Sequence, residues 1–361
     1  MFTKDDTNAA KGVALIMMYI HHMYFEKATY EAFTIDFFPL NESYALILSS
    51  LCKVCVAIFV FLSAYGLTIA YKNKQDALLK DYYRYNLGRY VKYILGFMLI
   101  FLVFDLVCTL SGNANNHVAV FGTGLTGIAN TLLDLLGLST IMGTPTFCAT
   151  WWYNSIFVAI LLLLPILWVV YRKIGVAVFF LILVLPRMLV LNSSNLRWYL
   201  PSVVLGMIFA DKKLFEKIHN WGGQNKHTEN KRNCRTIPNI VTAVIIIIIF
   251  AQLRRKWGVL LDGIDAILAA AIIYLSYETI GAFRITKRIF GFVGIHSMNL
   301  FLCHSFFRKF LFNKQMYFFE NAWLNVLWML GWTLLFSVVL EWIKKMVHFN
   351  NLSDKVTGLV K

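Results

Sequence analysis

The sequence predicts an all-α fold, a polytopic membrane helix bundle of about ten transmembrane helices with both termini cytoplasmic. The 361-residue chain is 59% hydrophobic and only 15% charged, whereas soluble domains carry charge at roughly a quarter of their positions. Its apolar residues fall in runs long enough to cross a hydrocarbon core of about 30 Å. A single buried core does not require such runs, so the composition indicates a membrane protein.

Ten apolar runs are candidate spans, several of them shorter than the ~20 residues that a lone transmembrane helix requires. We expect the first run to be retained as a helix rather than cleaved, because it contains two His residues and no small-residue cleavage site follows it. The ten predicted spans are residues 11–25, 44–71, 90–110, 151–171, 174–191, 196–211, 238–253, 262–281, 288–312 and 322–345.

The positions of Lys and Arg set the expected orientation, because cytoplasmic loops are enriched in these residues. With the N-terminus inside, 24 of the 34 cations lie in inside segments, nine lie in outside segments, and Lys53 lies within a span. The net charge of +15 is therefore explained by the enrichment of Lys and Arg in cytoplasmic segments, and no nucleic-acid partner is expected.

The 361 residues are expected to form one membrane-embedded domain, which extends over about 8–345. Residues 111–150, placed outside, contain no Lys or Arg, and their apolar centre predicts a re-entrant or interfacial helix. Residues 212–237 predict a solvated cytoplasmic loop, and residues 346–361 a short cytoplasmic tail. No internal repeat is evident in the sequence, which argues weakly against transporters built from paired halves.

Titratable side chains in the first predicted helix are costly in a membrane and indicate function. Lys11 and His22 are eleven residues apart, which places them within about 20° on one helix face and separates them by about 16 Å in depth. Glu26 follows His22 by four and can orient its ring, whereas His21 points about 100° away from His22. Lys11 taken alone is more simply a cytoplasmic anchor.

Two later segments also carry polar groups within spans. Lys53 either snorkels to the outer surface or serves a function. Ser297 and His304 are seven residues apart and share a helix face, and for His304 alone a functional role and simple packing are equally supported. In the expected orientation His22, His304 and Lys53 lie at comparable depths, so helices from opposite ends of the sequence can form one polar site.

The six cysteines do not indicate a metal site. Cys52 and Cys55 form a C-x-x-C pattern, but a zinc site requires a second ligand pair and a polar loop. We therefore predict no metal and interpret the cysteines as small buried apolar residues.

Four stretches resemble the acyltransferase 3 family, integral membrane O-acyltransferases that modify bacterial surface glycans. They are a basic residue, ten residues and a His at 11–22, a basic residue before a Phe-rich run at 52–67, a Trp-led helix ending in Pro at 150–165, and a Gly-x-x-Ser…His helix at 294–304. The resemblance extends over about 8–345. In two departures, Lys11 stands for the family's Arg, losing a bidentate fork, and Ala64 stands for Gly.

The resemblance implies an acyl-CoA donor, most often acetyl-CoA, as a substrate rather than a bound cofactor. It implies a surface or lipid-linked glycan as acceptor, at the bacterial cytoplasmic membrane. His22 is then the essential His, acting as a base on a sugar hydroxyl or as a carrier of the acyl group. Lys11 is expected to meet the phosphate or pantetheine of the donor. Lys53 or His304 is expected to stabilise the oxyanion or to hold the acceptor.

Three further residues are expected to bind the acceptor substrate: Trp151, Trp152 and Ser297. The two Trp rings either stack on sugar or belong to an aromatic belt, which is the commoner explanation. The rival prediction from another class is a transporter or flippase of a glycan or lipid intermediate, for which the same polar stripe is a passage.

Overall fold

The computed structural model describes residues 2–74, 77–188, 194–221, 232–257 and 263–359, most of which are helical. The all-α fold class predicted from the sequence is confirmed for this part of the chain. A π-helical turn at Phe306–Leu311 follows α15. The helices are α1 (Lys4–Tyr24), α2 (Glu42–Leu51), α3 (Cys55–Lys72), α4 (Leu79–Leu110), α5 (His117–Phe121), α6 (Gly124–Leu135), α7 (Ser139–Met142), α8 (Trp152–Ile174), α9 (Ala177–Met188), α10 (Ser194–Lys212), α11 (Leu214–Asn220), α12 (Arg232–Trp257), α13 (Ile264–Thr279), α14 (Arg284–Ile295), α15 (Ser297–Ser305), α16 (Asn313–Met316), α17 (Ala322–Met346) and α18 (Phe349–Leu359).

Within the described residues, five helical segments are long and apolar enough to cross a membrane, or six if one bent pair is a single span. The bent pair is Arg284–Ile295 and Ser297–Leu311, which turns by 59° within the predicted span 288–312. Ten spans and cytoplasmic termini stay predictions. The five segments are Glu42–Lys72, Leu79–Leu110, Ala149–Ile174, Ile237–Trp257 and Ala322–Met346.

The helices differ from the predicted spans mainly at their ends. The cation count predicts a basic loop at 72–92, yet α4 begins at Leu79. The Asp81 carboxylate accepts the Leu78 amide hydrogen at 2.9 Å and so satisfies an amide at the start of the helix. Such local capping extends a helix into polar sequence, whereas hydropathy marks only its apolar part.

The two long connections and the C-terminal segment also contain helices. α6 occupies the apolar centre of 111–150, where the sequence predicts one. α11 lies in the predicted loop 212–237, and its Phe215 is fully buried; residues 222–231 of that loop lie outside the described residues. The predicted tail 346–361 contains α18. α11 is anchored by the buried Phe215, whereas the buried residues of α18 are the small polar Ser353 and Thr357.

The chain divides into two compact units, each assembled from distant parts of the sequence. Unit 1 comprises Met1–Met18, Ser50–Asp76 and Ile166–Ser297, and unit 2 comprises Tyr19–Ser49, Ala77–Pro165 and Met298–Lys361.

In unit 1, glycines bring helix backbones into direct contact. A side chain at Gly12 of α1 would meet the backbone of Phe290 in α14, and one at Gly294 of α14 would meet the backbone of Asn8. Small residues permit this close approach in membrane proteins, where van der Waals packing drives helix association. The crossing fixes the first half of α1 against α14.

Unit 2 has an aromatic core that holds α15 and the end of α1. The Phe104 and Phe306 rings stack with centroids 4.0 Å apart. The Tyr24 hydroxyl donates to the Ala322 carbonyl at 2.7 Å, and the Tyr317 hydroxyl donates to the carbonyl of Met23 at 2.9 Å. These bonds tie the C-terminal end of α1 to the segment around the start of α17.

Candidate functional site

His22 and His304 meet in unit 2. Their ring centroids are 4.8 Å apart, and the ring planes are inclined by 38°. His22 lies in the last turn of α1 and is partly exposed, whereas His304 lies near the end of α15 and is fully buried. The predicted meeting of helices from opposite ends of the sequence is confirmed for this pair.

His21 faces a different neighbour. Its Nδ1 lies 2.9 Å from the Ser49 carbonyl oxygen, and because a carbonyl only accepts, Nδ1 carries the hydrogen. The His21 ring also contacts Phe25, at a centroid distance of 4.7 Å. His21 therefore anchors α1 to α2, while His22 turns toward α15, as their angular separation on a helix requires.

The tautomer of His304 follows from its backbone contact. Nδ1 donates to the Phe301 carbonyl oxygen at 2.6 Å, which leaves the lone pair of the neutral ring on Nε2. The Ser305 hydroxyl lies 3.2 Å from that Nε2 and 3.1 Å from the Thr150 hydroxyl. Nε2 of His304 is thus a hydrogen-bond acceptor at the end of a short hydroxyl chain.

Three side chains near the pair were not predicted from the sequence: Tyr19, Thr333 and Arg308. Tyr19 is fully buried, its ring centroid lies 5.9 Å from that of His304, and its hydroxyl lies 2.7 Å from that of Thr333. Arg308 is only 8% exposed and interacts electrostatically with His304. It also interacts with the Tyr317 side chain. Within the described part of the chain, its Nε has no hydrogen-bond partner.

For Tyr19 and Arg308, the number of residues that separates each from His22 or His304 could have indicated its position. Tyr19 precedes His22 by three residues, which places it on the same side of α1. Arg308 follows His304 by four residues but was counted as an outside cation. The π-helical turn at Phe306–Leu311 keeps Arg308 within helical structure and buried, and hydropathy gives no warning of such a turn. Single π turns occur frequently at functional sites.

The expectation that Glu26 shares a helix face with His22 is wrong. α1 ends at Tyr24, and Glu26 has extended backbone angles (φ −103°, ψ 114°) and an exposed side chain. The Thr29 hydroxyl donates to the Glu26 carbonyl at 2.7 Å, which stabilises a 3₁₀ turn in place of further α-helix. Because the helix ends between the two residues, the four-residue spacing does not place Glu26 on the same face as His22.

Trp151 belongs to the core of unit 2. Its side chain is 1% exposed, its Nε1–H donates to the Leu302 carbonyl at 3.0 Å, and its ring packs on Phe97 at a centroid distance of 4.8 Å. A ring buried in this way has no face for a sugar and none for lipid headgroups, so both interpretations of Trp151 fail. Trp152 is partly exposed, and its binding role stays a prediction.

Lys11, Lys53 and Ser297 belong to unit 1, and each is partly exposed. Lys11 lies in α1 next to the Gly12 crossing. Lys53 lies in a 3₁₀ turn between α2 and α3, with Nζ 5.6 Å from the centroid of a Trp198 ring, a distance at which a cation is attracted to the ring face. Ser297 begins α15. Their roles in binding stay predictions.

The cysteines of the predicted C-x-x-C pattern are both buried free thiols. In the described ranges no cluster of three or more His, Cys, Asp or Glu side chains is arranged to hold a metal ion.

Comparison with known proteins identifies a family. The family model described as an acyltransferase domain matches residues 5–342, which include both helices of the His22–His304 pair. Neither a curated protein nor a solved structure matches the chain. Because the match covers nearly the whole sequence and accompanies apolar membrane-length helices, the chain belongs to the acyltransferase 3 family and is a membrane acyltransferase.

Proposed function

We propose that the protein transfers an acetyl group from acetyl-CoA to a hydroxyl of a cell-surface or lipid-linked polysaccharide, as a multi-pass enzyme of the bacterial cytoplasmic membrane. The contact between His22 and His304 is the observation that carries the proposal. Two imidazoles within a bundle of apolar helices are costly, and an acyltransferase has a use for a neutral nitrogen base.

His22 is proposed as the general base. Its imidazole removes the proton from the acceptor hydroxyl as the hydroxyl oxygen attacks the thioester carbonyl. An O–C bond forms and the C–S bond breaks, and the proton held by His22 passes to the departing thiolate. The partial exposure of His22 is consistent with access for substrates.

His304 is proposed to hold the acceptor. Because Nδ1–H of its neutral ring is committed to the Phe301 carbonyl, the ring can accept a hydrogen bond at Nε2 but has no second hydrogen for an oxyanion. A second hydroxyl of the acceptor, donating to Nε2 in place of Ser305, would hold the reacting hydroxyl beside His22. Of the two roles open to His304, this geometry supports acceptor binding.

Arg308 is proposed as the oxyanion stabiliser, in place of His304. Its guanidinium is buried and near His304, and its Nε lacks a hydrogen-bond partner within the described residues. A preorganised cation in a water-poor site stabilises the negative charge that develops on the thioester oxygen. Unlike a neutral imidazole, guanidinium keeps its hydrogens throughout the reaction.

The test uses purified protein in proteoliposomes with acetyl-CoA labelled in the acetyl group and a set of candidate glycans. The proposal requires label on a glycan, release of one free thiol per acetyl group transferred, and loss of both with His22→Asn. Transfer of label to His22 itself before glycan is added would indicate the covalent route. A wild-type protein that moves glycan across the bilayer without transferring label would instead favour a transporter.

A further inference from the structure

Unit 1 contains a cavity of about 580 Å³ at the ends of three helices. It is lined by residues from the C-terminal ends of α3, α8 and α10 and the positions that follow them. Cavities of this size hold small molecules rather than single ions. The helices come from three distant stretches of the sequence, so no local motif marks the site.

The charges around the cavity are predominantly positive. Lys72, Lys74, Arg172 and Lys212 line it together with one carboxylate, that of Asp211, which leaves a formal excess of three positive charges. Asp211 is engaged on both oxygens, since the buried Tyr171 hydroxyl donates to one at 2.7 Å and Lys72 pairs with the other at 3.0 Å. Lys212 also lies 3.5 Å from the oxygen that Tyr171 binds. The excess of positive charge around the cavity favours an anionic ligand.

Cations at helix C-termini also have a simpler explanation, because their charge complements the helix dipole. That explanation does not account for Trp168, which lines the cavity and is only 5% exposed. Within the described residues its Nε1–H has no hydrogen-bond partner. A buried donor left unsatisfied is costly, and an acceptor oxygen of a ligand in the cavity would remove that cost.

We propose that this cavity binds a phosphate ester, whose oxygens take the Trp168 N–H and the charges of Arg172 and Lys212. Phosphate oxygens accept several hydrogen bonds at once, and they suit Arg and Lys donors. The volume exceeds what inorganic phosphate fills, so the ligand includes an organic part. The ester is either a soluble nucleotide or the headgroup of an anionic lipid, and its binding is measurable without acyl transfer.

Binding is measured on the full chain in nanodiscs of phosphatidylcholine alone, with adenosine diphosphate as the soluble probe. In a second arm, nanodiscs contain equal parts of phosphatidylcholine and phosphatidylglycerol, and retained lipid is quantified by native mass spectrometry. The variants are Arg172→Gln/Lys212→Gln, Trp168→Phe, and Lys173→Gln as the matched control. Lys173 is an exposed cation of α8 outside the cavity lining.

We expect the double variant to bind at least about tenfold more weakly and Trp168→Phe about fivefold more weakly, because hydrogen bonds to charged groups are stronger than ordinary ones. Lys173→Gln should bind as wild type does. Loss in the nucleotide arm identifies a soluble ester, and loss in the lipid arm identifies a headgroup. If neither probe binds, or if binding survives both cavity variants, the proposal is overturned.

Discussion

The two units hold their polar groups in opposite ways. In unit 2, His22 and His304 lie among aromatic rings with one buried guanidinium, that of Arg308. In unit 1, cations such as Arg172 and Lys212 line a cavity and are exposed. A neutral imidazole can take a proton but exerts little attraction on a distant anion, whereas exposed cations attract an anion but cannot accept a proton. We therefore assign proton transfer and anion binding to different side chains, as proposals.

The comparison is tested most severely by removing the imidazole that is proposed to hold the acceptor. We expect His304→Ala to lower kcat about 10²-fold or more, because a small misplacement of the reacting hydroxyl costs about that much, while Arg172→Gln/Lys212→Gln leaves kcat within about twofold. The measurement is the initial rate of acetyl transfer by each variant and by wild type, at saturating acetyl-CoA and at both low and high salt. A larger loss of kcat in the cavity variant would reverse the assignment.

Arg308 tests whether a cation in unit 2 acts on the reaction rather than on binding. Arg308→Met should lower kcat about 10²–10³-fold, as for loss of an oxyanion donor, and Arg308→Lys should restore part of that loss because charge is retained. Thermal melts in detergent serve as the control for folding. Equal KM increases in both variants with kcat unchanged would make Arg308 a binding residue.

The backbone crossing in unit 1 should be sensitive to added volume at the position where the two backbones meet. Gly294→Ala should destabilise the protein by about 1–3 kcal/mol, the usual cost of overpacking, because the new methyl would meet the Asn8 backbone. Gly291→Ala in the same helix is the matched control, since nothing lies within 4 Å of the added carbon. Unfolding followed by circular dichroism compares the two, and equal stability would contradict the contact.

Trp151 should contribute to stability without taking part in the reaction. Trp151→Phe keeps a buried aromatic ring but leaves the Leu302 carbonyl without its donor, at a cost of about 1 kcal/mol. We expect a lower unfolding free energy with KM for the glycan unchanged. Trp152→Phe, at the partly exposed neighbour, is the comparison, and a changed glycan KM in Trp151→Phe alone would restore its role in binding.

Sequence reasoning predicted the parts of the site that depend on one helix. The angular separation of adjacent residues distinguishes His21 from His22, whereas the sequence leaves His304 taken alone equally open to a functional role and to packing. It failed for Glu26 because the end of α1 is set by a hydrogen bond of the following turn. It could not separate Trp151 from Trp152, because two adjacent indoles differ only in what packs around them.

The remaining features depend on tertiary structure. Arg308 is brought into the site by a π-helical turn, for which no composition signal exists. The cationic cavity combines three helix ends whose separate sequences show only the basic residues expected beside a membrane. The start of α4 depends on a local cap rather than on hydropathy. In each case the observed structure depends on contacts or local geometry that the hydropathy of one segment does not show.

The central claim is that the His22–His304 contact is the centre of acyl transfer. It is tested most directly by single-turnover transfer of labelled acetyl with His22→Asn and His21→Asn, two neighbours of which only His21 is fixed to the Ser49 carbonyl. We expect His22→Asn to slow transfer by about 10²-fold or more and His21→Asn, which keeps a donor for Ser49, to stay within about threefold of wild type. Unchanged transfer in folded His22→Asn, or a larger loss in His21→Asn, would contradict the account.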